Sequence, residues 1–352
     1  RVLMQAPKNG FFYVLDAKTG QLISAEKFVP VDWAERIDLK TGRPVEAAFA
    51  RYEKGVASTQ MVGALGGHNW HPMAFSPKTG LVYIPAQYNR GNYADPDDFK
   101  SPPGTWNPGM RRRPAGPSAA AGPTPPPETR GELIAWDPVT QTKRWGVGFT
   151  QMATSGVLAT DGGLVFHSAM GRFTAYDAVT GTPAWSYETT ARAIAPASTY
   201  MIDGEQYVAL MVGAGGAGGY DSPRRPGRLL VFKLGGTVKP PAFATPVGQA
   251  RLDLKLATPS KGDADRGGAT YGIYCAGCHR NVPYYPDLAR SPAILDPDGF
   301  KAIVLDGALK RTGMAGFSRF FGEAEAEDLR AFLLWQAKMA PPPAATAPEH
   351  AQ

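Results

Sequence analysis

A five-residue turn recurs through the first two-thirds of this 352-residue chain: Asp16-Ala-Lys-Thr-Gly20, Ser76-Pro-Lys-Thr-Gly80, Asp137-Pro-Val-Thr-Gln141 and Asp177-Ala-Val-Thr-Gly181. In each, the first side chain can accept hydrogen bonds from the backbone amides that follow it. Successive copies lie 60, 61 and 40 residues apart, the range in which self-similarity marks a solenoid or a propeller. Strand-like runs adjoin the turns: Phe11–Leu15, Leu133–Trp136 and Phe173–Tyr176 precede theirs, and Leu81–Ile84 follows its own. That arrangement predicts apolar and aromatic hairpins. Eight residues after the turn aspartate stand Trp145 and Trp185, with Ser24 in that place in the first copy. The expected architecture for residues 1–236 is a β-propeller of about four blades, the tryptophans packing between neighbours. A propeller must close its ring to remove its edges, so four blades are either a small complete ring or half of a larger one.

The 41 glycines and 33 prolines fit a turn-rich β region. Residues 102–127 read as a Pro/Gly/Ala-rich surface loop. Within it Arg111-Arg112-Arg113 lacks aromatic interleaving, and the net charge is only +6, so no nucleic-acid partner is expected. No apolar run approaches the roughly 18 residues that span a bilayer, and no transmembrane segment is expected. The chain opens at Arg1 in strand-like sequence and reads as a piece of something longer.

Around Gly235-Gly-Thr-Val-Lys-Pro-Pro the strands stop, and residues 237–262 read as a proline-rich linker. Helices are expected from Asp265 to Gly277, from Pro297 to Asp306 and from Glu323 to Met339, the last burying Ala324, Leu329, Phe332, Leu333 and Trp335. Residues 341–352 read as a disordered tail.

The only cysteines lie in Cys275-Ala-Gly-Cys278-His279. This spacing attaches a c-type haem, two thiols adding to the vinyl groups and the histidine becoming an axial ligand. A redox dithiol or half of a zinc site are the alternatives. Zinc would need a second ligand pair, and no further histidine or cysteine lies between residues 168 and 349; a dithiol does not require the adjacent histidine. Residues 263–340 are therefore expected to form an all-α class I cytochrome c domain, and haem attachment outside the cytoplasm makes the expected location periplasmic. For the second axial position, Met314 lies in the glycine-flanked loop Arg311-Thr-Gly-Met314-Ala-Gly and is preferred to Met339, which falls in the last helical turn. Tyr271, Tyr274, Leu288 and Phe317 are expected as pocket wall, and Pro286-Asp-Leu288 resembles the segment that lines the haem edge in such cytochromes.

A propeller followed by a proline linker and a cytochrome c resembles the quinohaemoprotein alcohol dehydrogenases. The likeness rests on Met4-Gln-Ala-Pro-Lys8-Asn-Gly through Asp16, on Trp33-Ala-Glu-Arg through Pro44, on Gly67-His-Asn69-Trp70 and on Asp203-Gly-Glu-Gln-Tyr-Val-Ala209, in family order. It implies pyrroloquinoline quinone (PQQ) as cofactor, with Lys8 a cation near the quinone oxygens and Asn69 and Trp70 on its edge. It also implies calcium, a small alcohol substrate and an external electron acceptor such as a cytochrome, a copper protein or a quinone pathway. By residue type alone, Lys8 before Asn-Gly is a solvated turn residue and Trp70 a packing residue; His68 and His71 read as structural hydrogen-bonders. The resemblance places the catalytic aspartate, the calcium ligands and a pair of adjacent cysteines in earlier blades of an eight-bladed ring, none of them in this sequence. The chain is thus expected to be the C-terminal half, inactive toward alcohol by itself. Val212-Gly-Ala-Gly-Gly216 lacks a tryptophan common in relatives, and Ser168-Ala-Met-Gly171 lacks the usual Asp-Gly turn. The rival expectation is an electron-transfer protein whose propeller serves only for docking.

Overall fold

The computed structural model describes residues 1–52, 57–95, 120–121, 129–152, 155–213, 227–242, 251–279 and 286–339. It divides into a β unit, which contains the described residues up to Ala242, and a helical unit, which contains those from residue 251 onward.

The β unit is built from antiparallel meanders. The first holds β1 (Val2–Gln5), β2 (Phe11–Asp16) and β3 (Leu22–Lys27). Two short strands, β4 (Ala34–Ile37) and β5 (Pro44–Glu46), pair with each other. A small sheet takes β6 (Ser58–Met61), β9 (Arg90–Tyr93) and the two-residue β10 (Ala120–Ala121). Four-stranded meanders follow: one orders β12 (Thr142–Phe149), β11 (Gly131–Asp137), β8 (Leu81–Gln87) and β7 (Ala74–Ser76), and the next runs β13 (Val157–Ala159), β14 (Leu164–Ala169), β15 (Arg172–Asp177) and β16 (Pro183–Glu188). The last comprises β17 (Ser198–Ile202), β18 (Glu205–Val212) and β19 (Arg228–Phe232). β8 is buried along its whole length and reads V-Y-I-P-A through its centre, the continuous apolar run of a strand covered on both faces.

The recurring turns form as the sequence predicts. Asp16 Oδ1 accepts from the amides of Lys18 and Thr19 and from the Thr19 hydroxyl, at 2.8, 2.8 and 3.0 Å; Asp177 does the same with Val179 and Thr180. These donors hold both carboxylates below the usual range. A fifth copy, Asp38-Leu-Lys-Thr-Gly42, closes between β4 and β5 with the same bonds; its position breaks the spacing of the other four, which is why the repeat concealed it.

The tryptophans couple neighbouring meanders. Trp145 on β12 lies over the turn after β15, so closely that a Cβ on Gly181 would stand 2.6 Å from its ring, and its indole donates to Ala178 O at 3.2 Å. Trp185 on β16 meets Phe232 on β19 edge to face at 5.3 Å. Where the first meander has Ser24 instead, the turn it meets carries Gln141 instead of glycine, and the amide spans the gap: Gln141 Nε2 donates to Ser24 Oγ at 2.7 Å. Small residue under large ring is replaced by long residue over small hydroxyl.

Two hairpins turn on a pair of positive-φ residues, Met170-Gly171 and Asp203-Gly204, the backbone that matches strand twist. Met170 takes the position where the sequence lacks its expected aspartate. Arg111–Arg113 and residues 214–216 of the glycine run lie outside the described residues; of the 102–127 segment only β10 is described, and it is a strand paired parallel to β6 rather than loop.

In the helical unit, α1 (Ala264–Thr270) passes through a wider π-type turn at Tyr271–Cys275 into α2 (Ala276–His279). Asp263 caps α1 through bonds to the amides of Asp265 and Arg266. α3 (Pro297–Val304) starts on Asp296, with proline at its first position, and α4 spans Glu323–Met339 as expected. Two expectations are corrected here. α4 buries Ala326, Asp328, Leu329, Arg330, Leu333, Leu334 and Ala337, while Ala324 and Trp335 are exposed, because the helix face is set by its crossing with α1, where two charged residues take core positions. The segment read as the end of a free linker is also packed: Leu252, Leu254 and Ala257 lie against the helical core, and Arg330, 1% exposed, bonds the carbonyls of Thr258, Pro259 and Ile294 as well as Glu327. The tail 341–352 is outside the described residues.

Candidate functional site

Cys275, Cys278 and His279 fall within one continuous helical segment. Cys275 is buried and Cys278 exposed, both as free thiols. Burial pushes the Cys275 thiol up to about 12, with the neighbouring Cys278 adding to the effect. Reactive dithiols have the opposite tuning, a thiol lowered toward neutrality, so this environment disfavours the redox-dithiol alternative. His279 Nδ1 lies 3.0 Å from Pro286 O. Donation from Nδ1 to that carbonyl fixes the ring and leaves the lone pair on Nε2, the tautomer of a metal-ligating imidazole. Among the described residues no group of three or more His, Cys, Asp or Glu side chains is placed to hold a metal ion. Two thiols and an imidazole so arranged fit a covalently attached haem.

Tyr274, one residue before the first thiol, is ringed by Phe317, Phe320 and Phe321 at 5.9, 5.8 and 5.2 Å. These rings follow the loop that carries Met314, which is half-buried and comes directly after the left-handed Gly313. The loop is pinned by Phe317 N to Val304 O at 2.8 Å and by Met314 N to Leu309 O at 3.2 Å. Its far end is thereby brought to the helix that bears the thiols. Met339 is exposed at the end of α4. Tyr271 is buried against Phe332, and Leu288 packs on the same core.

The three candidate quinone contacts are gathered in the β unit. Lys8 Nζ donates to Ala64 O at 3.1 Å, and Gly67 N donates to Lys8 O at 2.9 Å. Gly66, at φ +82°, leaves only 2.6 Å between a notional Cβ and the Lys8 side chain, so glycine alone lets this loop lie on the Lys8 turn. The same loop carries Asn69, whose Nδ2 donates to Leu65 O at 3.0 Å and whose Oδ1 accepts from Trp70 N at 2.9 Å. Trp70 is 52% exposed and stacks on His71, ring centroids 4.2 Å apart. The Lys8 turn and the loop that carries Asn69 and Trp70 are thus packed together, and an ammonium, an amide with a second hydrogen and an accessible indole are donor types that suit a flat polyanion.

His68 is a structural hydrogen-bonder, as the sequence reading has it. Its Nδ1 lies 2.6 Å from Ala6 O and its Nε2 2.5 Å from His71 O. The buried charged pairs of the helical unit were missed: Asp328 is gripped by Arg266 through two bonds, 2.8 and 3.1 Å. Periodicity gives no signal for them, because charged residues at core positions look like a break in the apolar face.

Residues 128–208 match the β-propeller domain of glucose, ethanol and alcohol dehydrogenases, and residues 262–333 match cytochrome c oxidase, cbb3-type, subunit III. The chain is 40% identical to quinohemoprotein alcohol dehydrogenase ADH IIB of Pseudomonas putida over 95% of its own length and 49% of that protein. It is 38% identical to lupanine 17-hydroxylase [cytochrome c] of a Pseudomonas species over 96% of its length and 49% of that protein. Among solved structures, quinohemoprotein alcohol dehydrogenase ADHIIG of Pseudomonas putida HK5 superposes with TM-score 0.73 at 33% identity, over 96% of this chain and 51% of that one. The Comamonas testosteroni quinohemoprotein alcohol dehydrogenase gives 0.67 at 32%, over 97% and 51%. The chain spans about half the length of the curated relatives it matches. Through both its β-propeller part and its cytochrome c part, the chain is thus homologous to about half the length of the quinohaemoprotein alcohol dehydrogenases.

Proposed function

We propose that this chain supplies the electron exit and one wall of the quinone site in periplasmic, PQQ-dependent oxidation of a small alcohol. The observation that carries the reading is the Cys275–Cys278–His279 set on one helix, with His279 Nδ1 tied to Pro286 O. Two thioether positions and an imidazole in a defined tautomer are what covalent haem c requires. When bound, haem c supplies one-electron transfer and pyrroloquinoline quinone supplies hydride acceptance from the alcohol carbon.

The protein's own residues would act as follows. Cys275 and Cys278 would hold the haem covalently, His279 would ligate its iron, and Met314, on its glycine-bounded loop, would supply the second ligand. Lys8 places a fixed positive charge beside the quinone oxygens, and Asn69 and Trp70 hold the ring edge. The four larger meanders are read as about four blades of the family's eight-bladed ring. The base that takes the hydroxyl proton and the calcium ligands have no assigned counterpart in these residues, so alcohol turnover is not expected from this chain alone. Electrons leave to an external acceptor.

The test is expression in a periplasm competent for haem attachment. Covalent haem c with a methionine–histidine spectrum is expected; Met314→Ala removes the methionine signature and lowers the reduction potential, whereas Met339→Ala leaves both unchanged. A chain that carries no covalent haem would overturn the reading.

A further inference from the structure

We infer that His68 is a positioning residue for the quinone wall: an imidazolium that donates from both ring nitrogens and ties the Lys8 segment to the Asn69–Trp70 segment. The inference rests on the proposed quinone reading for its purpose, though not for its geometry.

His68 is 3% exposed. One nitrogen faces Ala6 O, two residues before Lys8, and the other faces His71 O, directly after Trp70. Carbonyl oxygens only accept. A neutral imidazole has one N–H and one lone pair, so at these distances one contact would set a lone pair against a carbonyl oxygen. With both nitrogens protonated, both contacts become charge-assisted bonds, the shorter and stronger kind. The titratable group facing His68 is His71 on its own segment, with His167 on β14 beyond it. Both rings are driven toward the neutral form by burial first, and His71 further by the charge on His68. From other elements the preceding glycines meet uncharged groups: Lys8 O accepts from Gly67 N, Gln87 N donates to Gly67 O at 2.7 Å, and Asn89 Nδ2 donates to Gly66 O at 2.8 Å.

The position explains how a surface loop is held beside the Lys8 segment. Asn69 and Trp70 are exposed or half-buried, and their hydrogen bonds among the described residues stay within their own loop. The buried bonds of His68 connect that loop to the strand leading into Lys8. The remaining ties lie on the glycine side of the loop: the Gly66–Lys8 contact, the Asn89 amide on Gly66 O and single backbone and lysine bonds.

The experiment uses the full chain, labelled with ¹⁵N, and reads the imidazole nitrogens by long-range proton correlation at pH 7, with His68→Gln to assign the signal. Both His68 nitrogens protonated is the expected result; a lone-pair nitrogen signal would overturn the inference. In His68→Gln, which donates from one end only, the Gly67 amide should exchange about tenfold or more faster, and pyrroloquinoline quinone should bind about tenfold or more weakly, as with Lys8→Ala. The covalent haem spectrum should not change. Unaltered Gly67 exchange, or quinone affinity equal to that of the parent, would sink the clamp. If the parent chain, which supplies only one wall of the site, binds no quinone by itself, the nitrogen signals and the Gly67 exchange decide the state and role of His68 on their own.

Discussion

Gly267→Ala should be the most damaging single-methyl change in the helical unit. α1 crosses α4 at this residue, and a Cβ there would stand 1.9 Å from Asp328 O and 2.4 Å from its carbonyl carbon. Ordinary contact starts near 3.4 Å, so the helices must part by roughly 1.5 Å. The obstacle is backbone, which cannot rotate away, and this puts the overpacking cost toward the upper end of about 1–3 kcal/mol. Alanine's better helix propensity offsets about 1 kcal/mol of that. The net loss is about 2 kcal/mol, or about 10 °C in the melting of a domain this size. Parting the helices also stretches the bidentate Arg266–Asp328 pair. Gly268→Ala is the control, since its Cβ would meet only the Phe332 ring, at 3.2 Å. That ring is half-buried and can give by a few tenths of an ångström, so the change should be neutral or stabilising by up to about 1 kcal/mol. Both variants carry the same propensity gain, and the difference between them isolates the crossing. Thermal unfolding followed by helical circular dichroism measures it; equal melting temperatures would refute the close approach.

Arg330→Met leaves the carbonyls of Thr258, Pro259 and Ile294 without that donor and Glu327 without its cation; a loss of about 3–5 kcal/mol is expected in denaturant unfolding of the helical unit. In the β unit, Gly181→Ala meets the Trp145 ring and a left-handed backbone together, and a loss of about 2 kcal/mol with altered tryptophan fluorescence should follow. A double-mutant cycle on Ser24→Ala and Gln141→Ala should return a coupling of about 0.5–1.5 kcal/mol, and none if the bridge is absent. His71 and His167 are both lowered to about 4 from 6.5, chiefly by burial. The unfolded state then binds more protons than the folded one between those values, so the stability these rings confer is present above pH 6.5 and falls as the pH drops toward 4, by roughly 3 kcal/mol for each; unfolding midpoints of the β unit across that range check the slope.

The division into a strand-rich part and a helical part was legible because each has its own sequence signal. Hairpin turns need particular residue types, and haem attachment needs two cysteines and a histidine at a fixed spacing. The helix bounds Glu323–Met339 were read correctly, and so were Leu329 and Leu333 on the buried face, with Phe332 half-buried, but Ala324 and Trp335 were not. Apolar periodicity assigns Ala324 and Trp335 to the core and cannot see that Asp328 and Arg330 enter it, since a charge is tolerated inside only when a partner elsewhere in the chain meets it. Arg266 and Glu327 do so, and neither pairing has a local signature. Leu252 and Leu254 failed to announce themselves for a related reason: a short apolar pair between prolines and charges looks like linker until the arginine that fastens the following carbonyls is known.

The same logic separates what is readable in the quinone wall from what is not. Lys8 lies 61 residues before the adjacent pair Asn69-Trp70, and residue type alone makes each of the three ordinary. What brings them together is a set of positions that would not be chosen as functional at all: Gly66 because it has no Cβ, Ala6 and Ala64 through carbonyls, His68 through two nitrogens. A lysine, an amide and an indole can be exchanged for others that donate to an anion. The close approach at Gly66 and the two hydrogen bonds of His68 cannot, because one requires absence of a side chain and the other a nitrogen on each side of one ring. Substitutions at Gly66 and His68 should therefore disturb the spacing of all three contacts at once, whereas substitution of Lys8, Asn69 or Trp70 should remove one contact and leave the others in place.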